Sequence, residues 1–137
     1  MQDHKTLLRQ HGLKATTGRI RLLASLNAAS QPLSIENILA RLSKNTDKTT
    51  VYRNLKSLQT LGVVAQVDFR HGHAHYELAS KTHHHHLVCT NCGKVEDITG
   101  QEIEKSLKQV IKKSRQFAVI KNHSLELFGL CKKCVRL

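Results

Sequence analysis

The chain has 137 residues, enough for one domain or for two small ones, each too small to build a large hydrophobic core unaided. Its 22 lysines and arginines against 10 acidic residues give a formal net charge of +12, which favours a polyanionic partner such as nucleic acid. The opening MQDHKTLLRQHG contains no apolar stretch of signal-peptide length, and no later stretch would span a membrane. We therefore expect a cytoplasmic protein whose thiols stay reduced.

Three or four short helices are predicted in the N-terminal part of the chain. The first lies around residues 3–11, and the second runs from Thr16 or Thr17 to about Ala29. Ser34 can cap a third helix, whose apolar residues recur every three or four positions. This spacing predicts a helix face that is turned towards a core.

The last of these helices has the features of a DNA-recognition helix. It begins after the cap Asp47 and ends before Gly62, where a left-handed residue would close it. One face is apolar, and the other faces present side chains that can reach bases and phosphates: Lys48, Thr49, Tyr52, Arg53 and Lys56. The simpler alternative is a solvated basic face.

Beyond Gly62 the pattern changes to that of a β-hairpin. Two short alternating segments, residues 63–67 and 75–78, flank a connection rich in arginine, histidine and glycine. Helices followed by such a hairpin predict a winged helix, in which the last helix enters the major groove and the hairpin flanks the DNA backbone. Residues 1–56 hold ten basic against three acidic residues, which fits this placement. We assign residues 1–80 to a winged-helix DNA-binding domain.

Residues 81–137 are predicted to form a small α+β domain. Short strands are expected at residues 86–89 and 94–98, a helix at 101–115, and β-like alternation at 117–130. A unit of this size leaves strand edges and an apolar helix face open, so we expect a second copy of the chain to cover them. The overall fold class is α+β, with the C-terminal domain serving dimerisation.

All four cysteines lie in two CxxC pairs, Cys89 with Cys92 and Cys131 with Cys134. A short turn between two cysteines lets both sulfurs reach one ion, and two pairs complete a tetrahedral shell of thiolates. Disulfides, redox chemistry and inert burial are the alternatives, and disulfides would need an oxidising compartment. We predict a structural Zn²⁺ whose binding energy helps the C-terminal domain to fold.

Several short motifs occur together in an order typical of one protein family. They are GLKAT at 12–16 followed by Arg19, TVYRNL at 50–55, YEL at 76–78, a histidine run leading into CTNCGK at 89–94, and NHS at 122–124. With them the chain resembles the ferric uptake regulator family of metal-responsive repressors over essentially its full length. The resemblance implies a winged-helix DNA-binding domain, a dimerisation domain, and a metal-dependent switch between them.

The resemblance also implies which residues contact DNA. Lys14 is expected to reach the minor groove, while Arg19, Tyr52 and Arg53 lie at the DNA face, and Thr49 belongs to the same helix surface. Lysine and arginine can neutralise phosphates or enter a narrow A·T-rich groove, and a tyrosine ring can contact a thymine methyl. The expected target is an A·T-rich inverted repeat bound by a homodimer.

Four consecutive histidines at 83–86 can serve two metal sites, because alternate residues on a strand point to opposite sides. The resemblance assigns three residues to a regulatory site between the domains: Glu77, His84 and His86. It assigns four residues to a second site within the dimerisation domain: His83, His85, Glu104 and His123. The alternative is a run of surface histidines.

The fourth ligand of the regulatory site is left open by the sequence. Iron-sensing members of the family usually supply a histidine from the loop before the third helix, and this chain has SQPL there, at residues 30–33. Zinc-sensing relatives can use an aspartate at the start of the hairpin, where this chain has Asp68, although it lacks their common cysteine near Ala79. Histidines 71, 73 and 75 are possible substitutes, of which His75 is favoured, and they could equally be exposed loop residues.

These ligands lean towards zinc without excluding other ions. A tetrahedral set of Asp68, Glu77, His84 and His86 suits Zn²⁺, an expanded set suits Fe²⁺, and Mn²⁺ is also compatible with nitrogen and oxygen donors. Ligation requires neutral histidine, so metal-dependent DNA binding is expected to weaken as the pH falls towards about 6.

The predicted function is a metal-dependent DNA-binding repressor of metal-homeostasis genes, leaning towards zinc uptake. An iron-dependent or peroxide-sensing regulator of the same family is the nearest alternative. A metal-dependent hydrolase fits poorly, since neither an HExxH helix nor a glycine-rich phosphate loop is present. Metal storage would leave the winged-helix pattern unused. We therefore predict that the protein is not an enzyme.

Overall fold

The structure, a computed structural model, describes residues 3–80, 84–99, 101–120 and 123–136. The chain divides into two compact units, Met1–Lys81 and Thr82–Leu137, each built around its own three-stranded sheet. No helix in the described ranges is both long enough and apolar enough to cross a membrane.

Four helices occupy most of the first unit. They are α1 (His4–Gln10), α2 (Thr17–Ala28), α3 (Ile35–Arg41) and α4 (Lys48–Thr60). The predicted caps Ser34 and Asp47 are confirmed, and Thr16 caps α2: each of the three side chains accepts a backbone N–H from the first turn of the helix that follows. Gly62 takes a φ of +76°, the left-handed conformation expected just after α4.

The sheet of the first unit contains the predicted hairpin and one further strand. Its strands are β1 (Leu33–Ser34), β2 (Val64–Val67) and β3 (His75–Leu78), in the order β1-β3-β2 with both pairings antiparallel. Sequence patterns missed β1 because two residues are too few to show alternation. Three helices, a short strand and a two-stranded wing complete the predicted winged helix, with α1 preceding it.

One hydrophobic cluster holds this unit together. Its fully buried side chains come from all four helices and from β2: Leu8, Leu22, Leu23, Leu26, Ile38, Leu55, Leu58 and Val64. Burial of each such side chain stabilises the fold by about 1.5–3 kcal/mol. The apolar faces of α3 and α4 therefore do what their spacing predicts, and the polar faces of α4 are left exposed.

The second unit is a smaller mixed sheet with one long helix. Its elements are β4 (His85–Cys89), β5 (Val95–Ile98), α5 (Gln101–Lys113), β6 (Glu126–Gly129) and α6 (Lys132–Val135). The strand order is β5-β4-β6, with β4 antiparallel to β5 and parallel to β6. The central strand β4 thus carries its histidines and Cys89 between two neighbours.

One expectation for the second unit was wrong in detail, and one element was not predicted. Among the described residues of the alternating stretch 117–130, only Glu126–Gly129 is a strand, and residues 117–120 are irregular. Phe117 and Val119 are 71% and 70% exposed there, so alternation of apolar side chains alone did not make a strand. The short α6 was not predicted, since four residues are too few to show a helical period.

Candidate metal centres and nucleic-acid interface

The four cysteines converge at one end of the second sheet. Cys89 ends β4, and Gly93, with a φ of +78°, turns the chain so that the Gly93 N–H donates to the Cys89 carbonyl at 2.9 Å. Parallel pairing places Cys89 opposite Gly129, which leads into Cys131 at the start of α6. One sulfur from each of the four cysteines lies within 4.8 Å of the others.

Polar groups around the sulfurs favour thiolates. The backbone N–H of Cys131 donates to the Cys89 sulfur at 3.4 Å, and the Asn91 side-chain amide donates to the Cys134 sulfur at 3.3 Å. Backbone N–H groups, those of Cys92 and Cys131 foremost, lower the pKa of the Cys89 thiol to about 6. Such donors also orient sulfur ligands around a metal.

At Cys134 the neighbouring sulfurs have the opposite effect and favour the protonated thiol. Asn91 lowers the pKa of Cys134, but hydrogen bonds with the other cysteine side chains and burial outweigh this and raise it to about 11. All four are free thiols, and the Cys92 and Cys131 sulfurs lie 3.8 Å apart, well beyond disulfide length. Four converging sulfurs with backbone donors fit a tetrahedral Zn²⁺ that would replace the shared protons.

A second group lies between β4 and α5. The Nε2 atom of His85 is 3.2 Å from Glu104 Oε1, and Nε2 of His123 is 3.6 Å from the same oxygen. The two imidazole rings lie 5.2 Å apart, and His85 is buried. The structure thus brings together three of the four predicted second-site residues, while His83 lies outside the described residues. Two imidazoles and a carboxylate can hold a divalent transition metal.

His84 and His86 lie on the opposite side of the strand from His85. Their ring centroids are 4.8 Å apart and the rings are almost perpendicular. His86 is only 2% exposed, and burial is the main reason that its pKa falls to about 4, with His84 adding to the shift. This histidine is therefore neutral, the form that binds metal, far below the usual histidine range.

Two carboxylates that the sequence analysis missed flank His86. Its Nε2 lies 3.7 Å from Asp97 Oδ1, and its Nδ1 lies 3.9 Å from Glu126 Oε1. His86 pairs in register with Asp97 on β5 and with Glu126 on β6, and residues in register share a face of the sheet. The only sequence signal for them was an acidic residue within each predicted strand.

The other predicted ligands of the regulatory site belong to the first unit. Glu77 lies in β3, so the predicted set with His84 and His86 spans both units and stays a prediction. Asp68 is exposed, and its Oδ1 accepts the backbone N–H of Arg70 at 2.8 Å. Among the described residues Asp68 joins no group of converging ligands, and its assignment also stays a prediction.

The expected DNA face is the exposed side of α4 together with the start of α2. Thr49, Tyr52 and Arg53 are exposed on α4, and the ammonium of Lys48 lies 6.0 Å from the centre of the Tyr52 ring. A cation at this distance can interact with the face of a tyrosine ring.

Arg19 joins three segments of this face. Its Nε donates to the Asn54 side-chain oxygen at 3.2 Å, and its Nη1 donates to the Lys14 carbonyl at 3.0 Å. One side chain therefore ties the exposed Lys14 loop to α2 and α4. Asn54 was not singled out from the sequence, because an amide on a helix has no spacing that marks it as a partner of a distant arginine.

Comparisons with known proteins agree on one family. The family model described as the ferric uptake regulator family matches residues 10–128. The ferric uptake regulation protein of Yersinia pestis is 36% identical over 135 residues, which cover 96% of this chain and 90% of that protein.

Solved structures give the same result. The ferric uptake regulator of Pseudomonas aeruginosa with manganese has a TM-score of 0.80 at 32% identity, covering 96% of this chain and 99% of that chain. The ferric uptake regulator Fur of Helicobacter pylori, described as having three functional metal binding sites, has a TM-score of 0.78 at 30% identity and covers 96% and 88%.

Proposed function

Because the chain belongs to the ferric uptake regulator family of metal-responsive regulators, as its motifs predicted, we propose that it is a DNA-binding repressor of metal-homeostasis genes. It acts in the cytoplasm as a homodimer on A·T-rich inverted repeats. The observation that carries the proposal is the presence in one chain of a winged helix with an exposed basic recognition helix and a second unit with converging metal ligands. In this function the metals regulate DNA binding, and no substrate is turned over.

The exposed surface of α4 supports binding to duplex DNA. Because Val51, Leu55 and Leu58 are buried, the helix is anchored by one face and presents Tyr52 and Arg53 on another. A helix held in this way can enter the major groove, where arginine contacts guanine or phosphate and tyrosine contacts the thymine methyl. Arg19 and Lys14 extend the basic surface towards the flanking backbone.

Apolar side chains on the second unit support a homodimer. Large hydrophobic residues are exposed there in both regular and irregular segments: Val110, Phe117, Val119, Ile120, Leu127, Leu130 and Val135. α5 contributes no buried residue within the chain, although its apolar residues share one face. Exposed apolar surface of this extent marks an interaction site, and a second copy provides a matching surface through two-fold symmetry. The same symmetry matches an inverted repeat.

The cofactors follow from the donor chemistry of each group. The four cysteines hold a structural Zn²⁺ that stays bound, since thiolates suit zinc and the shell is closed. The second site takes an exchangeable divalent metal at His85, Glu104 and His123, with His83 as the fourth ligand.

The regulatory metal binds at Glu77, His84 and His86, with Asp68 as the further ligand. Since Glu77 and Asp68 belong to the DNA-binding unit and the histidines to the other, one ion held by both would select one relative orientation of the two. Free protein samples several orientations, and metal shifts the population towards the one that fits DNA. Each tenfold preference of the ion for that orientation contributes about 1.4 kcal/mol.

The composition of the ligand set favours zinc as the regulatory ion. Two imidazoles and two carboxylates from Asp68, Glu77, His84 and His86 suit a tetrahedral Zn²⁺. Iron is the second candidate, since Asp97 and Glu126 beside His86 offer the additional oxygen donors of an expanded shell. Iron bound by histidine and aspartate would also permit peroxide sensing through local ligand oxidation.

A metal titration of the full chain tests the proposal. Protein with its cysteine zinc in place is titrated with Zn²⁺, Fe²⁺ under anaerobic conditions, or Mn²⁺, and affinity for an A·T-rich inverted repeat is measured at one salt concentration. We expect Zn²⁺ to raise the affinity for DNA at least tenfold, and to do so at a lower free concentration than Fe²⁺ or Mn²⁺. Peroxide added to the Fe²⁺ form separates the peroxide-sensing alternative.

A pair of histidine variants provides the control. His84→Ala should lose the metal response while keeping its fold, because His84 is less buried than its neighbours on β4. His4→Ala, in α1 of the other unit, removes a histidine outside every ligand group and should respond as the unaltered chain does. A full metal response in His84→Ala would end the regulatory-site assignment.

A further inference from the structure

The turn of the wing carries three histidines at alternate positions. His71 and His73 lie in the connection between β2 and β3, and His75 is the first residue of β3. One ring nitrogen from each lies within 4.8 Å of the others. The ring centroids are 4.7 Å apart for His73 and His75, 5.4 Å for His71 and His75, and 6.1 Å for His71 and His73. We name these three residues the wing histidine group.

The backbone of the turn produces this convergence. Arg70 has a φ of 58° and Gly72 a φ of 83°, two left-handed conformations within three residues. The Asp68 carboxylate holds the first of them by accepting the Arg70 N–H at 2.8 Å. On a straight strand, residues two apart lie about 6.5 Å from each other, so three alternate side chains are spread along its length. Here the chain turns, so the three imidazole rings lie close together at the start of β3.

His75 is buried in a way that packing alone does not satisfy. It is 8% exposed and lies against the buried ring of Phe69, with the centroids 4.7 Å apart. Its Nδ1 is buried without a hydrogen-bond partner among the described residues. A buried polar nitrogen is normally paired, so an unsatisfied one beside two further imidazoles points to a ligand.

We propose that His71, His73 and His75 form a binding site for a divalent transition metal at the tip of the wing. Three imidazole nitrogens suit Zn²⁺, Ni²⁺ or Cu²⁺ and leave at least one coordination position for water or another oxygen donor. All three ligands belong to the DNA-binding unit. The three nitrogens converge within that unit, so the group can hold an ion without a ligand from the second unit.

Little rearrangement is needed to bring the nitrogens to one ion. Two ligands of a tetrahedral Zn²⁺ with Zn–N bonds of about 2.0–2.1 Å lie roughly 3.3 Å apart. His71 and His73 are exposed, so their rings can turn towards the fixed ring of His75. Packing against Phe69 accounts for the buried ring of His75. It does not explain why position 73 carries an exposed histidine.

The position of the site gives it a consequence for DNA, which rests on the proposed function. The wing of a winged helix flanks the DNA backbone, and an ion with an open position there can bind a phosphate oxygen. The wing would then neutralise one more phosphate when it carries metal. Binding of the ion itself requires no DNA.

Metal stoichiometry of the full chain tests the site. The unaltered chain and the double variant His71→Asn/His73→Asn, each holding zinc only at the cysteines, are titrated with Ni²⁺, and bound Ni²⁺ is counted after equilibrium dialysis. Both substitutions are at exposed positions and leave the buried His75 in place, so the fold should be kept. The matched control His4→Asn/His11→Asn removes two histidines from α1 and its end in the same unit.

We expect the double variant to bind one Ni²⁺ fewer per chain than both the unaltered chain and the control. The imidazole NMR signals of His75 should shift with Ni²⁺ or Zn²⁺ in the unaltered chain and stay in place in the double variant. An equal Ni²⁺ count in all three proteins, or an unmoved His75 signal in the unaltered chain, would overturn the proposal.

The phosphate contact is tested by the salt dependence of DNA binding in the His84→Ala background, where the regulatory response is removed. One additional phosphate contact steepens the slope of log affinity against log salt by about 0.9. We expect Ni²⁺ to produce this change with the wing histidine group intact and not after His71→Asn/His73→Asn. If the unaltered chain with metal binds no DNA, the proposed function fails, and the Ni²⁺ count still decides the metal site.

Discussion

The two units of the chain are stabilised in different ways. Among the described residues of the first, 15 hydrophobic residues, most of them in the helices and the sheet, form one buried cluster. Among the described residues of the second, only four are buried, and they are ligands or their neighbours: His85, His86, Val88 and Cys89. α5, the longest helix of that unit, contributes none of them. The first unit thus has a hydrophobic core of its own, whereas the second has ligand groups and exposed apolar surface.

The two units therefore obtain their stability from different sources. Apolar burial stabilises the first unit without any partner. The second buries too little apolar surface for that, so metal binding and association with another copy must supply the rest. The same property makes the second unit responsive, because an element that depends on a ligand for its order changes when the ligand leaves.

Loss of the cysteine zinc is expected to have the largest effect on the stability of the second unit. Cys89→Ala removes a ligand at the end of the central strand of the second sheet, and structural zinc sites contribute about 10–16 kcal/mol of apparent binding free energy in small peptides. We expect the second unit to lose its dispersed NMR amide signals and its zinc while the first unit keeps its own. Gln109→Ala, at an exposed position of α5, is the control. A folded second unit in Cys89→Ala would show that zinc is not its main stabiliser.

The next largest difference between the two units is expected in the unfolding free energy lost on matched leucine substitutions. Leu23 is fully buried in the first unit, so Leu23→Ala should cost about 2–5 kcal/mol of unfolding free energy. Leu130 is 54% exposed in the second unit, and Leu130→Ala should cost well under 1 kcal/mol in dilute protein. Urea denaturation followed by NMR measures both. A cost at Leu130 that grows with protein concentration would place this side chain against the second copy.

Acid should act on the second unit through His86. Its pKa is lowered from 6.5 to about 4 by burial, so the unfolded chain binds the proton first as the pH falls. The stability that neutral His86 contributes is complete above about pH 6.5 and is lost down to about pH 4, roughly 3 kcal/mol in all. Proton competition at His86 therefore lies below the value near pH 6 that an ordinary histidine would predict.

Urea denaturation between pH 7 and 4 measures this contribution in protein whose histidine sites are free of metal. The variant His86→Gln serves as the reference, because the cysteine zinc responds to acid in both proteins and cancels in the difference. Parallel stability curves for the two proteins over this range would contradict the assignment to His86.

The smallest effect is expected at a helix cap of the first unit. Asp47 accepts the backbone N–H groups of Thr49 and Thr50 at the start of α4. Asp47→Ala should cost about 1 kcal/mol of unfolding free energy, and Asp47→Asn, which keeps an acceptor, should cost less. Thermal unfolding of the first unit checks this, and equal costs for the two variants would assign the effect to charge instead of capping.

Local chemistry was readable directly from the amino-acid order. The caps Ser34 and Asp47, the hairpin and the paired cysteines depend on residues close together in the chain, so spacing alone predicts them. The family motifs added the expected fold, the DNA partner and the division of the histidine run. The caps, the hairpin and each cysteine pair form within a short stretch of chain, so they do not depend on how distant segments pack.

Features that join distant residues depended on the folded chain. Asp97 and Glu126 reach His86 only because β5 and β6 pair with β4 in one particular register, and a shift of one residue would turn them to the other face. Arg19 meets Asn54 only because two helices pack together. The convergence of His71, His73 and His75 depends on left-handed backbone at Arg70 and Gly72, a conformation that spacing does not disclose.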